Sequence, residues 1–478
     1  MLLGKYYHRS IPDFEIEAVC YDTRQMKKNS VFVCIKGEND DGHRYAVKAA
    51  ELGAKIIFAS RHIDCNAVVI LTNDTKSMLE YLVKRFYGMP KLRLFGVTGT
   101  NGKTTVSHMI ASVFAAAGIS CGIIGTNGVF LDGEELESER NTPTTPNMPE
   151  LYMILSELEK KGAEACVMEV SSHALTQDRV NGLCFETAVF TNLTQDHLDY
   201  HKNMEDYFLA KCRLFEISER VSVNADDEYG RRIINTFDNC IGYGCENGDI
   251  RAENIVLSAD GAEFGIICGR SRVRQKINIP GLFSVYNALA AYTACYISGI
   301  EAETISAGLK NVDGVLGRME HIDANGISVL IDYAHTPDGL SKVLTSLKEV
   351  TNGRLICLFG CGGDRDRTKR AVMGDIATKL ADVAVITSDN PRTESPTEII
   401  IDILSGVRND NYIVIENREK AIETAYNMAR EGDTLLLAGK GQERYQIIGK
   451  ERRFFDEREI IKRISNEKIG EDYAGFYN

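Results

Sequence analysis

The sequence lacks three features, and each absence narrows the class of protein that it encodes. It lacks an excess of basic residues, since 68 Asp and Glu stand against 55 Lys and Arg, for a formal net charge of −13 at pH 7. Binding to a nucleic-acid backbone needs a basic face, so this balance argues against a nucleic-acid partner. A local basic site for a small anionic substrate is still compatible with an acidic chain.

The second absence is a run of about 18 apolar residues, the length of a membrane-spanning helix, so we expect no membrane span. The first segment, MLLGKYYHRSIPDFEIE, also has no apolar core of the signal-peptide type. The third absence is any CxxC spacing among the 13 cysteines, several of which lie inside apolar runs. This pattern is typical of reduced core thiols, so we expect a cytoplasmic protein without a zinc site.

A length of 478 residues is too great for one hydrophobic core and predicts several domains. Residues 1–89 contain short strand-like runs such as AKIIFAS. Residues 90–317 open with the run LRLFGV, a glycine-rich turn and the helical VSHMIASVFAAAG, and an alternating stretch near 250–279 predicts an antiparallel patch. Residues 318–478 alternate apolar strands with helices, as βαβ units do. We therefore predict an α/β fold of three domains with mostly parallel sheets.

The segment GVTGTNGKTT, residues 96–105, is the strongest single signal in the chain. Glycines allow backbone N–H groups to turn toward phosphates, Lys103 supplies a positive charge, and the Thr104 hydroxyl reaches Mg²⁺. The spacing departs from the strict P-loop, which has glycine where this chain has Val97. Because a strand precedes the segment and a helix follows it, the segment predicts an ATP site. It does not distinguish a kinase, a motor, a transporter subunit or a ligase.

Polar residues at the ends of two further strands are candidates to complete this site. Glu169, in MEVSSH, ends a strand where a metal-binding carboxylate is needed, and the alternative of a solvated residue at a strand end is disfavoured by the neighbouring nucleotide loop. The stretch FTNLTQDHLDYH ends another strand with acids and histidines that suit Mg²⁺ or phosphate: Asp196, His197, Asp199 and His201. Mg²⁺ prefers oxygen ligands, so His197 suits the metal less well. Lys211, in DYFLAKCRLF, is predicted from its residue type alone to extend to the surface.

Several motifs occur in a fixed order: GTNGKTT, MEVSSHAL, FTNLTQDHLDYH, the lysine of AKCRLF, YNALAA, GRME, DYAHTP and GKGQE. Together they resemble the ATP-dependent muramyl peptide ligases of bacterial cell-wall synthesis, over all three regions of the chain. The resemblance implies an N-terminal domain for the UDP end of the substrate at 1–89 and a central ATPase at 90–317. It further implies a C-terminal Rossmann-like domain for the incoming amino acid at 318–478.

The resemblance also implies roles for individual residues. Those near ATP are Thr98, Gly99, Thr100, Asn101, Gly102, Lys103, Thr104, Asn287, Arg318 and Asp332. Mg²⁺ is expected on Thr104, Glu169, His197 and Lys211, the last as a CO₂-derived carbamate, which turns a cation into a carboxylate-like ligand. Lys103, Glu169, His197 and Lys211 are the expected catalytic residues. The resemblance thus reverses the surface interpretation of Lys211.

Two substrate groups are implied in the same way. The UDP-muramyl dipeptide is expected on Thr23, Thr144, Thr145, Ser171, Gln177 and Arg179, which by residue type alone are turn hydroxyls or surface polar residues. The amino acid is expected on Arg365, Asp389, Asn390, Pro391, Arg392, Gly439 and Glu443, whereas Gln442 receives no role. The motif DNPR is associated with meso-diaminopimelate, whose second carboxylate a bidentate arginine can pair with and which lysine lacks.

The implied reaction is peptide-bond formation from a carboxylate, which ATP first activates as an acyl phosphate. We expect small-molecule substrates and a monomer. The alternatives within the family are the L-lysine-adding ligase, which DNPR disfavours, and folylpolyglutamate synthase. The segment YDTR, which places Thr23 where the family binds the uridine end, disfavours the second. From other classes, a P-loop ATPase that drives conformational work remains open. A catalytically idle scaffold is disfavoured by the intact GKTT, Glu169 and Lys211.

Overall fold

A computed structural model describes residues 15–37, 40–138, 142, 144–196, 200–258 and 261–475. Its chain contacts divide it into two compact units. The first comprises the described parts of Met1–Leu94 and Ser120–Phe185, and the second those of Phe95–Ile119 and Glu186–Asn478. Among the helices in the described part of the chain, none combines the length and apolar character that crossing a membrane requires.

The first unit contains a four-stranded sheet in which all neighbouring strands run parallel, in the order β1-β2-β3-β4. The strands are β1 (Ala18–Cys20), β2 (Ser30–Val33), β3 (Ala54–Ala59) and β4 (Val68–Leu71). The chain around them forms α1 (Ala46–Glu51), α2 (Thr75–Tyr87) and two 3-10 turns at Thr23–Gln25 and Gly42–Tyr45. Its core includes Phe32, Ala46 and Ile57, which are fully buried.

The first unit also contains a second run of strands, in the order β9-β6-β7-β8. These are β6 (Cys121–Gly125), β7 (Gly128–Leu131), β8 (Glu134–Leu136) and β9 (Ala165–Glu169), of which β6 and β9 run parallel. Two helices, α4 (Met148–Lys160) and α5 (Ser172–Thr176), complete the unit. The start of α4 is fixed by a capping box, because the Asn147 and Glu150 side chains each accept a hydrogen bond from the other residue's backbone N–H.

The second unit contains seven strands in the order β15-β14-β13-β12-β11-β10-β5. They are β5 (Arg93–Thr98), β10 (Phe185–Phe190), β11 (Ser218–Asn224), β12 (Cys240–Gly244), β13 (Ile250–Ser258), β14 (Gly261–Cys268) and β15 (Ser271–Ile277). The antiparallel β13, β14 and β15 confirm the patch predicted near 250–279. The accompanying helices are α3 (Lys103–Ala116), α6 (Met204–Glu216), α7 (Glu228–Thr236), α8 (Leu282–Ile297) and α9 (Ala302–Lys310).

The second unit also contains a six-stranded sheet in the order β16-β17-β21-β18-β19-β20, parallel except for β16. Its strands are β16 (Glu320–Ala324), β17 (Ile327–Asp332), β18 (Leu355–Phe359), β19 (Val383–Ile386), β20 (Tyr412–Val414) and β21 (Thr434–Ala438). The helices are α10 (Pro337–Val350), α11 (Thr368–Leu380), α12 (Pro396–Leu404), α13 (Arg418–Met428) and α14 (Glu457–Gly475). A separate antiparallel hairpin pairs β22 (Tyr445–Ile448) with β23 (Glu451–Phe454).

The predicted α/β fold class is confirmed, and the strand order explains where a ligand site forms. The chain goes from β17 to β18 but places β21 between them, which is a topological switch point. Ligands in open parallel sheets bind outside the carboxyl ends of the strands at such a point. The segments that leave those ends are DYAHTP after β17, GCGGDR after β18, SDNPR after β19 and GKGQE after β21.

A buried ion pair joins the elements behind this edge. Arg418, the first residue of α13, and Glu457, the first residue of α14, are almost fully buried, and Arg418 Nε donates to Glu457 Oε1 over 2.8 Å. Arg418 Nη2 also donates to the carbonyl oxygen of Ala438, at the end of β21, over 2.9 Å. One guanidinium therefore connects two helices to the end of a central strand.

We expect the substitution Arg418→Met to destabilise the second unit strongly. Removing one partner of a buried ion pair leaves the other charge uncompensated, which costs about 3–5 kcal/mol. For a domain of this size, each kcal/mol lowers the thermal midpoint by about 2–4 °C. The measurement is thermal unfolding of the full chain.

The control is Arg463→Met, which removes exposed ion pairs to Glu419 and Glu423 and should change stability by less than about 0.5 kcal/mol. Equal effects of the two substitutions would contradict the role of the buried pair.

Candidate active site

The loop between β5 and α3 requires glycine at two positions. Gly99 and Gly102 have φ of 146° and 87°, in the region that residues with a side chain rarely adopt. A Cβ at Gly99 would lie 1.9 Å from Thr191 Oγ1, and one at Gly102 would lie 2.5 Å from Asn287 Oδ1. Glycine is therefore required at both positions, because Thr191 and Asn287 leave no room for a side chain.

The same loop places positive charge at its centre. Lys103 begins α3, and its Nζ donates to the carbonyl oxygens of Gly99 and Thr100, each over 2.9 Å. Thr104 lies buried in the first turn of the same 14-residue helix. The N-terminus of a helix carries partial positive charge and free N–H groups. The ammonium, the hydroxyl and the helix end together fit the phosphates of a nucleotide and a divalent cation.

The chain after β10 forms one wall of the loop. Thr191 Oγ1 donates to the Asn101 carbonyl oxygen over 2.6 Å, and the Asn101 N–H donates to Asn192 Oδ1 over 3.0 Å. Asp338, in the first turn of α10, accepts hydrogen bonds from Asn101 Nδ2 at 3.0 Å and Thr194 Oγ1 at 3.1 Å. A helix of the C-terminal sheet thus contacts the nucleotide loop directly. The sequence interpretation assigned no role to Asp338.

Lys211 lies beside the loop and is buried, not at the surface as its residue type alone predicts. Only 1% of Lys211 is exposed, and its Nζ donates to the Gly99 carbonyl oxygen over 3.0 Å and contacts Thr98 Oγ1 at 3.5 Å. In the described part of the chain, no carboxylate lies within ion-pair distance of this ammonium. Burial lowers the pKa of Lys211 well below its ordinary value, and the charge of Lys103 lowers it further. Both effects make the neutral amine more accessible here than on an exposed lysine.

Two of the four acids and histidines after β10 have described positions. Asp196 lies near enough to Lys211 to oppose the lowering of its pKa. His201 is buried and stacks on the ring of Tyr207, with centroids 4.9 Å apart. His197 and Asp199 lie outside the described residues. Within the described ranges, no group of three or more His, Cys, Asp or Glu side chains is arranged to hold a metal ion.

Arg318 and Asp332 lie together at the edge of the C-terminal sheet. The Arg318 guanidinium lies over the Tyr333 ring, 4.7 Å from its centroid, and its Nε is buried without a hydrogen-bond acceptor among the described residues. Asp332 accepts from the N–H groups of Met319 and Ala334, each over 2.8 Å. Burial raises the pKa of Asp332, while Arg318 opposes the rise. The free donor of Arg318 and the carboxylate are suited to a polar ligand such as a ribose or a phosphate.

In the first unit, Glu169 ends β9 and only 1% of it is exposed, which rules out the solvated interpretation. Its carboxylate accepts hydrogen bonds from the Thr126 N–H at 2.8 Å and the Thr126 hydroxyl at 3.1 Å. Gly125 makes room for it, since a Cβ there would lie 2.2 Å from Glu169 Oε1. The carboxylate is held in one orientation and carries no cation partner within salt-bridge distance in the described part of the first unit.

The residues expected on the muramyl dipeptide form a network around Glu169. Thr145 Oγ1 donates to the Glu169 carbonyl oxygen over 2.9 Å and to Ser171 Oγ over 3.3 Å. Arg179 Nη1 donates to the Thr145 carbonyl oxygen over 2.7 Å, and Nη2 donates to Gln177 Oε1 over 2.6 Å. The hydroxyl of Thr144 lies 3.1 Å from that of Thr126, which itself binds Glu169. Thr23 lies in a separate 3-10 turn and is half-buried.

The two arginines expected on the amino acid lie on neighbouring loops. Arg392 Nη1 donates to the Gly363 carbonyl oxygen over 2.7 Å, and in the described part of the chain it has no carboxylate partner. A Cβ at Gly362 would lie 2.9 Å from Arg392 Nη1 and 3.8 Å from Arg365 Cγ, so both side chains pass this glycine. Arg365 is exposed and donates to the Asp364 carbonyl oxygen over 3.1 Å. Both guanidinium groups are therefore available to an anion.

A buried lysine that sequence reasoning missed organises the rest of this cluster. Lys440 is fully buried, and its Nζ lies 3.2 Å from Asn390 Oδ1, 3.3 Å from Glu443 Oε2 and 3.5 Å from Asp389 Oδ1. Asn390 Nδ2 also donates to Glu443 Oε2 over 2.8 Å. Burial raises the pKa of Asp389, but Lys440 and Arg418 outweigh it, so that this pKa is lowered. A lysine between Gly439 and Gly441, directly after a strand, is the signal that identifies it.

The fold and these two groups of loops define an enzyme that joins a nucleotide-binding loop to a site for a charged small molecule. Three family models match the chain: the Mur ligase family, catalytic domain, at residues 15–87, the Mur ligase middle domain at 97–295, and the Mur ligase, glutamate ligase domain, at 317–441. The chain is 46% identical, over 95% of both chains, to UDP-N-acetylmuramoyl-L-alanyl-D-glutamate–2,6-diaminopimelate ligase 1 of Clostridium acetobutylicum. It is 44% identical to the ligase of that name from Clostridium botulinum, over 95% of this chain and 96% of the relative.

Solved structures agree with this assignment. A structure of a UDP-N-acetylmuramoyl-L-alanyl-D-glutamate–2,6-diaminopimelate ligase is 29% identical, covers 95% of both chains and matches with a TM-score of 0.68. MurF from Acinetobacter baumannii, at 19% identity and a TM-score of 0.67 over 95% and 94% of the chains, supports the fold alone. The chain belongs to the Mur ligase family, the ATP-dependent ligases of peptidoglycan synthesis.

We expect the substitution Gly99→Ala to weaken nucleotide binding. The new methyl group would overlap Thr191 Oγ1, so the loop has to shift away from its present position. A cost of about 1.4 kcal/mol corresponds to a tenfold loss of affinity, and we expect at least roughly that loss. Calorimetric titration with ATP measures it.

The matched control for this experiment is Gly118→Ala. Gly118 also has positive φ, at 71°, but a Cβ there would meet no atom within 4 Å. It should cost about 1 kcal/mol of stability through backbone strain and leave ATP affinity unchanged. Unchanged affinity in Gly99→Ala would contradict the assignment of the loop.

Proposed function

We propose that this protein is an ATP-dependent peptide ligase that adds meso-diaminopimelate to the D-glutamate γ-carboxylate of UDP-N-acetylmuramoyl-L-alanyl-D-glutamate. The curated relatives at 46% and 44% identity carry this activity in their names. The observation that carries the choice of amino acid is the Arg392 guanidinium, which follows β19 at the ligand edge of the C-terminal sheet and, among the described residues, donates to a backbone carbonyl and to no carboxylate. Diaminopimelate brings a second carboxylate that pairs with such a group, whereas lysine does not.

The chemistry explains why the site collects cations. A carboxylate does not react with an amine, so the γ-carboxylate first attacks the γ-phosphorus of ATP, which gives an acyl phosphate and ADP. The amine then attacks the acyl carbon, a tetrahedral intermediate forms, and phosphate leaves as the peptide bond is made. The first step brings a carboxylate close to the phosphates, and the second builds negative charge on the acyl oxygen while the neutral amine gives up a proton. Fixed positive charge stabilises both transition states. We assign this stabilisation first to Lys103, at the centre of the nucleotide loop.

We propose the remaining nucleotide contacts as follows. We assign residues 98–102 to the phosphates. The N–H groups of Thr100 and Asn101 already donate to Asn192, so the donors assigned to the phosphates are Lys103 and the first turn of α3, and Thr104 would supply a hydroxyl to Mg²⁺. Bound Mg²⁺ would neutralise phosphate charge. The oxygen donors assigned to it are Glu169 on the first unit and Thr104 and a carbamate on Lys211 on the second, with His197 as a further predicted ligand. We assign the nucleotide also to Asn287, Arg318 and Asp332. Asn287 borders Gly102, and the buried Nε of Arg318 is a donor without an acceptor among the described residues.

The carbamate on Lys211 is supported by its surroundings. The buried amine has a lowered pKa, so its lone pair is available to attack the carbon of CO₂, with one proton released to solvent. The product is an anion, and the cation Lys103 lies close enough to influence Lys211. A buried ammonium without a carboxylate partner is costly, whereas a carbamate bound to a divalent cation is not.

We assign the UDP-muramyl dipeptide to the hydroxyl network of the first unit and to its arginine, at Thr144, Thr145, Ser171, Gln177 and Arg179, with the uridine end near Thr23. The amino acid is assigned to Arg365, Asp389, Asn390, Pro391, Arg392, Gly439 and Glu443. Asp389, Asn390 and Glu443 suit its ammonium group, and the two arginines suit its carboxylates.

The organisation of the chain follows the same assignment. We propose a UDP-substrate domain at 1–89, a central ATPase domain at 90–317 and an amino-acid domain at 318–478. We further propose that the protein acts in the cytoplasm as a monomer. The contact of Asp338 with Asn101 supports coupling between the position of the C-terminal sheet and the nucleotide loop.

The experiment that tests the proposed function is an amino-acid panel of meso-diaminopimelate, L-lysine and L-ornithine with UDP-muramyl dipeptide and ATP. Phosphate release should need both the dipeptide and an amino acid, and meso-diaminopimelate should give the highest kcat/KM. Preference for L-lysine would replace the proposal by the lysine-adding ligase. ATP hydrolysis that ignores both substrates would replace it by an ATPase.

We expect Arg392→Ala to reduce kcat/KM for meso-diaminopimelate by roughly 10²-fold or more, since a buried carboxylate loses its charged partner. ATP affinity should stay within about twofold, because Arg392 contacts no residue of the nucleotide loop in the described structure. Steady-state kinetics with each substrate varied in turn measures both. Equal losses for the two substrates would remove the specificity role.

We expect activity and Mg²⁺ affinity to depend on CO₂. In buffer freed of CO₂ and bicarbonate, the carbamate of Lys211 dissociates, and activity should fall and return on adding bicarbonate. Lys211→Ala should lose activity by roughly 10²-fold or more, with partial rescue by a short carboxylate such as acetate that fits the vacated space. Lys202→Ala, at an exposed lysine on the same stretch of chain, is the control and should behave as wild type. Activity that does not change when CO₂ is removed would count against the modification.

A further inference from the structure

Glu394, two residues beyond the DNPR motif, joins the two loops that carry the expected amino-acid ligands. Arg370 is fully buried and binds it in a bidentate manner, with Nη1 to Oε2 at 3.0 Å and Nη2 to Oε1 at 2.9 Å. Arg370 Nη2 also donates to the Gly362 carbonyl oxygen over 3.2 Å, and Nη1 donates to Asp402 Oδ2 over 2.8 Å. The carboxylate is therefore fixed from the buried side.

The same carboxylate binds the backbone of the other loop. The Asp364 N–H donates to Glu394 Oε1 over 2.5 Å, and Arg367 Nη2 donates to Oε2 over 2.7 Å. Hydrogen bonds to Arg370 and then to Arg367 lower the pKa of Glu394 to about 2, so it is ionised throughout the neutral range. The Glu394 carboxylate thus accepts hydrogen bonds from loop 361–367 and from Arg370, although Glu394 itself lies on the other loop, just after DNPR.

A second set of hydrogen bonds, with donors on both loops, also joins them. The side chain of Asp364 accepts from the Thr393 hydroxyl at 2.7 Å and from the Thr393 N–H at 3.2 Å. The Gly363 N–H donates to the Asn390 carbonyl oxygen over 2.9 Å. Asp364 and Arg392 have φ of 53° and 52°, which residues with side chains adopt only when their surroundings hold them. These reciprocal bonds hold both strained positions.

From this geometry we propose that Glu394 is a positioning residue for amino-acid selection: bound to Arg370, it fixes the spacing between Arg365 and Arg392. The inference rests on the proposed function, because it takes the two arginines as ligands of the amino acid. The two guanidinium groups lie on separate loops, so the distance between them is set by the bonds between the loops. A substrate with two carboxylates at a fixed separation depends on that distance, whereas one with a single carboxylate does not.

The test uses the full-length protein with ATP, UDP-muramyl dipeptide and either meso-diaminopimelate or L-lysine. Glu394→Gln keeps the shape of the side chain and removes its charge. We expect KM for meso-diaminopimelate to rise by about tenfold or more while KM for ATP stays within about twofold. The ratio of kcat/KM for meso-diaminopimelate to that for L-lysine should fall by about tenfold.

The matched control is Asp433→Asn. Asp433 accepts from Arg354 Nε and Nη2 and from two backbone N–H groups, and its side chain is 6% exposed, against 14% for Glu394. It precedes β21, at the opposite end of the strands from the ligand edge. Asp433→Asn should lower the thermal midpoint and leave the amino-acid ratio as in wild type, so a general loss of stability is separated from a loss of positioning.

The outcomes distinguish the inference from the proposed function. A wild type that prefers L-lysine overturns both. A wild type that selects meso-diaminopimelate, with an unchanged ratio in Glu394→Gln or equal losses for the two amino acids, overturns the positioning role alone. Should Glu394→Gln not fold, Thr393→Val removes one bond between the loops and should lower the ratio by about threefold, and an unchanged ratio there overturns the proposal.

Discussion

Parallel pairing of β17, β21, β18 and β19 is the constraint on which the C-terminal site depends. Parallel strands bring their carboxyl ends to one edge of a sheet, so four segments that are distant in sequence have to meet there. DYAHTP, GCGGDR, SDNPR and GKGQE leave that edge in turn. Contacts between them, such as Asn390 with Glu443 and the Gly439 N–H with the Asp332 carbonyl oxygen, follow from this arrangement. The sheet supplies proximity, and the loop side chains supply the chemistry.

The fully buried lysines and arginines among the described residues fall into two groups. Those of the first group have carboxylate partners and stabilise the fold, and the second group, without such a partner in the described part of the chain, lies at the candidate site. Arg370, Arg418 and Lys440 are fully buried, and each has a carboxylate within ion-pair distance. Lys211 is buried to the same degree without such a partner in the described part of the chain. The first three lose little by burial because their charges are compensated. Burial instead lowers the pKa of Lys211, which favours its neutral form unless a reaction or a bound ligand compensates the charge.

Much of the fold was predictable from local pattern. Apolar runs such as LRLFGV, ISVLID and TLLLAG became β5, β17 and β21, because strands buried on both faces have a continuous apolar signal. The nucleotide loop was predictable because its glycines and Lys103 follow one another in the chain. The hairpin of β22 and β23 was missed, since its residues alternate weakly and many are charged.

Much of the candidate site could not be found from residue types and spacing. The pattern of α6 is the same whether Lys211 reaches solvent or turns inward, and only packing against the loop beside β5 decides this. Glu394 binds Arg370 from 24 residues away and Lys440 binds Asn390 from 50 residues away, and periodicity does not encode such contacts. The ordered motifs supplied roles for Lys211 and Arg392 through resemblance. Lys440 lies within GKGQE but received no role, and none of the motifs contains Glu394 or Asp338.

The hairpin of β22 and β23 binds the backbone of Arg392, so this residue contributes more to the structure than its charge. Its N–H donates to the Ile447 carbonyl oxygen over 3.1 Å, and its carbonyl oxygen accepts from the Gly449 N–H over 2.7 Å. Residue 392 is therefore a joint at which the DNPR segment, the hairpin and loop 361–367 meet in a left-handed conformation. Because these two bonds are made by the backbone, replacing Arg392 by another residue with an N–H group would keep the junction and remove only the guanidinium. The position of residue 392 is therefore set by the backbone around it, independently of the charge that it carries.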